Sequence, residues 1–230
     1  MSVAGATVAP MTPASSSKTG SKTATGATDE NPPAAEPDEQ VAGRCFGDGD
    51  PLYAAYHDDE WGVPVHGEAA LFERIALEGF QSGLSWLTVL RKRPAFREVF
   101  ADFDPRTVAG FGEDDVTRLL ADGRIIRNRA KIEATIGNAR ALVALNDAGT
   151  SLDELFWSYA PDRGDGSRRA SRPATWQDVP ATSDASTALS KDLKKRGFRF
   201  VGPTTMYAAM QACGLVDDHL ATCPVVTARA

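Results

Sequence analysis

The chain has 230 residues, 42% of them hydrophobic and 24% charged, with a formal net charge of -6 at pH 7. That balance fits one globular domain with an appendage, and it argues against indiscriminate nucleic-acid binding while leaving room for a local basic face. No run of about 18 apolar residues and no basic-then-apolar leader is present, so the sequence reads as neither membrane-spanning nor secreted.

Residues 1–42 are Ala, Thr, Ser, Gly and Pro with scattered charge. Such a stretch has too little apolar surface to offset the entropy of ordering, so a disordered tail is expected there. A helical domain is expected over 43–226, with a short tail at 227–230. Gly47-Asp48-Gly49-Asp50-Pro51 is turn chemistry. A short helix is expected over Leu52–Tyr56, with Tyr53 and Tyr56 on one face. Glu68–Phe80 follows the 3.6-residue period and predicts a second helix. Gln81-Ser82-Gly83 breaks it, and Leu84–Arg93 predicts the next, stopped by Pro94. Short helices are expected over 94–100 and 105–108.

Acidic residues Glu113, Asp114 and Asp115 suit the first turn of a helix. Ala121-Asp122-Gly123 then reads as a brief break before a long helix, Ile125–Leu145. Gly123, Arg124, Arg127, Arg129 and Lys131 cluster at this hairpin. Two readings stand: a phosphate-binding hairpin of backbone N–H groups and cations, or a plain helical hairpin with a solvated basic face. Leu152–Tyr159, Thr182–Gly197 and Pro203–Cys213 complete the helices, with a charged loop at 161–173 between the first two. No stretch reads as a sheet, so the fold class is all-α.

Three Cys and three His are present, an odd, low count that points to a reducing compartment. His219 and Cys223 are four apart and face one way on a helical turn. Cys45 and His57 lie near the start of the domain. Two Cys and two His make a closed tetrahedral set for a structural Zn2+, which would clip the two ends of the domain together; chance placement is the alternative.

Leu77–Arg93 carries the remaining chemistry. Glu78 and Trp86 flank a tight glycine-containing turn and can hold a flat, electron-poor ring, or Trp86 is core at a helical corner. Leu84, after Gly83, is either a wedge or a core leucine. Arg91-Lys92-Arg93 reads as a basic run able to meet phosphate.

Residues 44–223 closely resemble the DNA-3-methyladenine glycosylase I family of bacterial alkylation-repair enzymes. The resemblance rests on DPLYAAYHDDEWGVP (50–64), LEGFQSGLSWLTVLRKR (77–93), IIRNRAKIEATIGNARA (125–141) and the run 189–219 with Cys223. It implies the all-α helix-hairpin-helix glycosylase fold, and one structural zinc on Cys45, His57, His219 and Cys223. It implies a base pocket of Glu78, Trp86, Tyr56, Tyr53 and Trp61. In such a pocket Glu78 is the candidate for base recognition first and for a catalytic role second, and Leu84 is the candidate wedge that fills the opened duplex. At Cys45-Phe46-Gly47 the sequence departs from the family pattern, which leaves one aromatic wall unassigned. The implied activity is hydrolytic release of 3-methyladenine from alkylated double-stranded DNA by a monomeric, monofunctional enzyme of the bacterial cytoplasm, working at the nucleoid. The rival is a zinc-stabilised helical DNA-binding module without catalysis.

Overall fold

The computed structural model describes residues 43–160 and 172–226. The tails expected at 1–42 and 227–230 and most of the loop expected at 161–173 lie outside the described residues. Every regular element among the described residues is helical. The helices are α1 (Pro51–Asp59), α2 (Glu68–Gln81), α3 (Trp86–Val99), α4 (Pro105–Ala109), α5 (Glu113–Ala121), α6 (Arg129–Asp147), α7 (Leu152–Trp157), α8 (Asp184–Lys195) and α9 (Pro203–Ala212). No described helix is long and apolar enough to cross a membrane.

α2 is the axis of the fold. All residues from Leu71 to Phe80 are buried, three charged ones included. A helix buried all round has neighbours on every side, and α2 packs against α3, α4, α6, α7 and α9. Leu71, Phe72 and Leu77 are fully excluded from solvent, each contributing roughly 1.5–3 kcal/mol by burial. The caps are those the sequence offers. Asp50, Ser85, Asp104, Asn128, Ser151 and Ser183 each accept a backbone N–H of the first turn of their helix.

Two sequence expectations are corrected. Pro94 does not stop α3, which runs unbroken to Val99. Proline's fixed φ is already helical, and the helix beyond it is held by Phe96, fully buried with its ring centroid 4.6 Å from that of Phe80. The long helix after the hairpin starts at Arg129 rather than Ile125. Asn128 is extended and its side chain caps Lys131 N–H at 3.2 Å, so the connection from α5 is the longer segment 122–128.

Ala101, Asp102 and Phe103 form a left-handed turn, with φ of 51°, 50° and 57°. Each such residue costs about 1–2 kcal/mol. Here the turn drives the Phe103 ring into the core, 5.5 Å from Phe100 and 5.9 Å from Phe72, which offsets the strain.

Gly214 ties the last helix to the α1–α2 connection. Its φ is +74°, and a Cβ there would lie 2.7 Å from the Gly62 carbonyl oxygen. Only glycine fits so close a backbone crossing.

Candidate functional site

Glu78 lies in the last two turns of α2 with 5% of its surface exposed. Burial pushes its carboxyl up to about 8, and Arg74, one turn earlier, pulls the other way. The carboxylate has no hydrogen-bond partner among the described residues. Tyr53 and Tyr56 stand three apart on α1. Burial and then the nearby Glu78 charge raise both phenols, Tyr53 to about 12. The Trp86 ring lies 5.4 Å from Tyr56, inclined at 46°. Its indole N–H is buried and has no acceptor among the described residues. A buried polar group left unpaired costs about 1–3 kcal/mol, so a buried carboxyl and a buried N–H bordered by aromatic rings make a place for a flat polar ligand.

Arg74 is a site residue the sequence reading missed, although its position four residues before Glu78 puts it on the same helical face. It bonds Glu60 at 2.8 Å, and Arg93 bonds both oxygens of Glu60 at 2.6 Å. Burial works against ionisation of Glu60, but the two guanidinium groups prevail and hold it at about 2.

Phe46, where the sequence departs from the family pattern, stands against the candidate pocket residues. It lies 4.8 Å from Tyr53, 6.4 Å from Tyr56 and 5.0 Å from Trp61. Trp61 faces the histidines, 4.6 Å from His219 and stacked 6.2 Å from His57. Trp176 approaches Phe46 at 6.2 Å and donates its indole N–H to the Cys45 carbonyl at 3.0 Å. Nothing in the sequence marks it, a lone aromatic in a polar connection.

Cys45, His57 and Cys223 bring their ligand atoms within 4.8 Å of one another, close enough to hold a metal ion, and all three are buried. His57 binds the Asp58 carboxylate through Nδ1 at 2.8 Å, and its Nε2 faces Cys223 Sγ at 3.5 Å. His219 is not within that three-residue set, but its ring is 5.1 Å from His57. Its Nδ1 meets Asp217 at 2.9 Å, and its buried Nε2 has no partner among the described residues. Each imidazole thus has a carboxylate on Nδ1, the arrangement that orients Nε2 for a ligand role when a metal is bound. Leu220 N–H points at Cys45 Sγ at 3.2 Å. Two sulfurs with imidazole nitrogens are a donor set suited to Zn2+.

The basic residues divide. Lys131 is corrected as a phosphate contact: it is buried, and its Nζ donates to the carbonyls of Phe80 at 2.8 Å and Ser82 at 2.7 Å. The run Arg91-Lys92-Arg93 is likewise engaged within the protein. Arg91 pairs with Asp50, Lys92 donates to the carbonyls of Gly123 and Arg124, and Arg93 holds Glu60. Arg124 bridges Glu98 and Asp122, and Arg129 bridges Glu113 and Glu133, all of them exposed or partly so. Arg127 is exposed and has no partner among the described residues. Leu84 is not core: it is 42% exposed in the turn between α2 and α3, after Gly83 at φ +85°.

The methyladenine glycosylase family model matches residues 46–227. The chain belongs to the methyladenine glycosylase family. It is 51% identical over 174 residues to DNA-3-methyladenine glycosylase 1 of Escherichia coli, covering 76% of this chain and 91% of that protein. It is 44% identical over 176 residues to the DNA-3-methyladenine glycosylase of Haemophilus influenzae, covering 76% and 93%. Among solved structures it matches a crystal structure of 3-methyladenine DNA glycosylase I at TM-score 0.72 and 50% identity, covering 76% of this chain and 94% of that one. It also matches the Staphylococcus aureus methyladenine glycosylase, solved to explain 3-methyladenine recognition, at TM-score 0.73 and 39% identity, covering 79% and 94%. The all-helical architecture is thus that of this family.

Proposed function

We propose that the protein hydrolyses the N-glycosidic bond of 3-methyladenine in alkylated double-stranded DNA and leaves an abasic site. The observation that carries this reading is Glu78, a buried carboxyl without a partner among the described residues, beside Tyr53, Tyr56 and Trp86. A base methylated on a ring nitrogen is cationic within the nucleotide. Aromatic faces attract such a ring, more so when water is excluded. Its charge also favours the ionised form of Glu78, which then accepts hydrogen bonds from the base edge. An unmodified adenine brings no charge and leaves Glu78 with the cost of burial.

The nucleotide reaches this depth only by leaving the helix, and Leu84 is our assignment for the apolar side chain that fills the gap. Gly123, Arg124, Arg127 and Arg129, beside the α6 N-terminus, are assigned to backbone phosphates in a helix-hairpin-helix contact. When the C1′–N bond breaks, its electron pair goes to the base, which departs neutral, and the positive charge passes to the sugar. Water adds to C1′ and releases one proton. Glu78 favours positive charge at the site, and its second role is to take that proton. Lys131 is held by two carbonyls, which supports a monofunctional enzyme without a Schiff base.

Cys45, His57, His219 and Cys223 would hold a structural Zn2+. A set with four protein ligands supplies folding energy and leaves no position for a reacting water. We read the protein as a monomer acting in the bacterial cytoplasm on nucleoid DNA.

The test is release of 3-methyladenine from methylated duplex DNA, followed chromatographically, for wild type and Glu78→Ala. Release that drops by at least a hundredfold in the variant is expected. Folded, metal-loaded wild type that binds the duplex and releases no base would make the protein a binding module instead.

A further inference from the structure

Phe200 combines two features that do not ordinarily occur together. Its φ is +57°, and its side chain is 41% exposed. A bulky residue in the left-handed region costs folding energy and persists where the surroundings impose it. At Phe103 the same strain is offset by a fully buried ring; at Phe200 no comparable burial exists.

The surroundings do impose it. The Asn138 side chain from α6 takes both backbone groups of Arg199. It accepts from the N–H at 2.7 Å and donates to the carbonyl at 3.0 Å. Ser190 from α8 donates to the Val201 carbonyl at 2.6 Å. Phe198 and Val201 are buried on either side. The backbone is clamped before and after residue 200, so that this one ring projects.

It projects beside α2. A Cβ on Gly79 would sit 3.4 Å from the Phe200 Cβ. Gly79 follows Glu78 directly, and the same helix end leads through Ser82 and Gly83 to exposed Leu84. A small cleft is lined by Gly79, Phe80, Lys131, Asn138, Arg199 and Phe200. The Arg199 guanidinium lies over Gly137 of α6 at 3.6 Å from where a Cβ would be, and it has no carboxylate partner among the described residues. An exposed ring, an unpaired guanidinium and a clamped backbone next to the base site match a nucleic-acid strand, whose bases offer stacking faces and whose phosphates seek cations.

We propose that Phe200 is a further DNA-contacting residue, its ring stacking on a base exposed when the duplex opens, with Arg199 on the neighbouring phosphate. The inference rests on the glycosylase reading and adds a contact outside the base pocket. Base–aromatic stacking is typically sensitive to truncation by about tenfold or more.

The experiment compares wild type, Phe200→Ala, Phe200→Tyr and Phe200→Gly. It measures affinity for a duplex with a stable abasic analogue, affinity for free 3-methyladenine, rate of base release from methylated duplex, and melting temperature. Phe200→Ala and Phe200→Gly should weaken duplex binding about tenfold, leave free-base affinity unchanged and raise KM for the duplex. Phe200→Tyr should restore binding. Phe200→Gly should melt at or above the wild-type temperature, because glycine relieves the backbone strain. Duplex affinity and KM equal to wild type in Phe200→Ala overturn the proposal, as does loss of free-base and duplex binding in parallel. Wild type that releases no base points to failure of the glycosylase reading instead.

Discussion

Lys131 Nζ lies 2.8 Å from the carbonyl oxygen of Phe80, so the first turn of α6 fastens the last turn of α2. A second bond to Ser82 extends the hold into the turn that carries Leu84. Replacing Lys131 with Met keeps most of the volume and removes the donor. Two carbonyls lose a charged partner, and unfolding in urea should show a loss of about 1–3 kcal/mol. The salt dependence of DNA binding should stay as in wild type, since this ammonium faces inward.

Glu78 should make stability fall with rising pH. Its carboxyl titrates at about 8 in the folded chain against 4.5 when free, so folding favours the protonated form. That contribution is complete below about pH 4.5 and is lost as pH climbs toward 8. Glu78→Gln imitates the neutral acid. Its melting temperature should match wild type near pH 4.5 and exceed it increasingly up to about pH 8, while base release collapses. A constant difference across that range would refute burial as the cause.

Glu60 should behave in the opposite sense. With its carboxyl held at about 2 by Arg93 and Arg74 against 4.5 when free, the ionised form is favoured by folding. The contribution is present above about pH 4.5 and fades as pH falls toward 2. Glu60→Gln should be clearly destabilised at pH 7, with the gap to wild type narrowing at pH 3 in denaturant titrations. Arg74 then loses its carboxylate partner, and the pH midpoint for base release should also move.

The metal set should be visible without any activity measurement. Protein prepared without chelator should carry about one zinc per chain by elemental analysis. Cys223→Ser should lose it and melt several degrees lower. His219→Ala should reduce metal content as well, because its inward-facing Nε2 has no other partner among the described residues. Full zinc content in Cys223→Ser would sink the assignment.

Residue patterns located most of the helices and singled out the residues of the candidate site, for reasons that are local. Helical periodicity located α2, and side-chain caps such as Asp50 and Ser183 fixed starts. Asn128 is equally a cap, but Ile125 and Ile126 continue the apolar pattern ahead of it, which set the expected helix start too early. Pro94 misled because a proline's local preference gave way to Phe96 and Val99 packing in the core. The pairing of Lys131, Lys92 and Arg93 with groups far along the chain was illegible, since long side chains choose partners only once the fold exists. Trp176 and Phe200 were missed for the same reason. An aromatic in a loop has no period, and its meaning comes from what stands opposite.

Cys45 and Cys223 share one cluster, and Phe46, Tyr53 and Tyr56 follow Cys45 within about a dozen residues. The amino-terminal side of the candidate pocket is therefore tied to the other extremity of the domain. Trimming the chain just short of Cys223 would remove no residue of the candidate pocket, yet it should unmoor the tyrosines. Tolerance to carboxy-terminal deletion should end abruptly at that cysteine, and what disappears there should be discrimination between alkylated and normal adenine as much as stability.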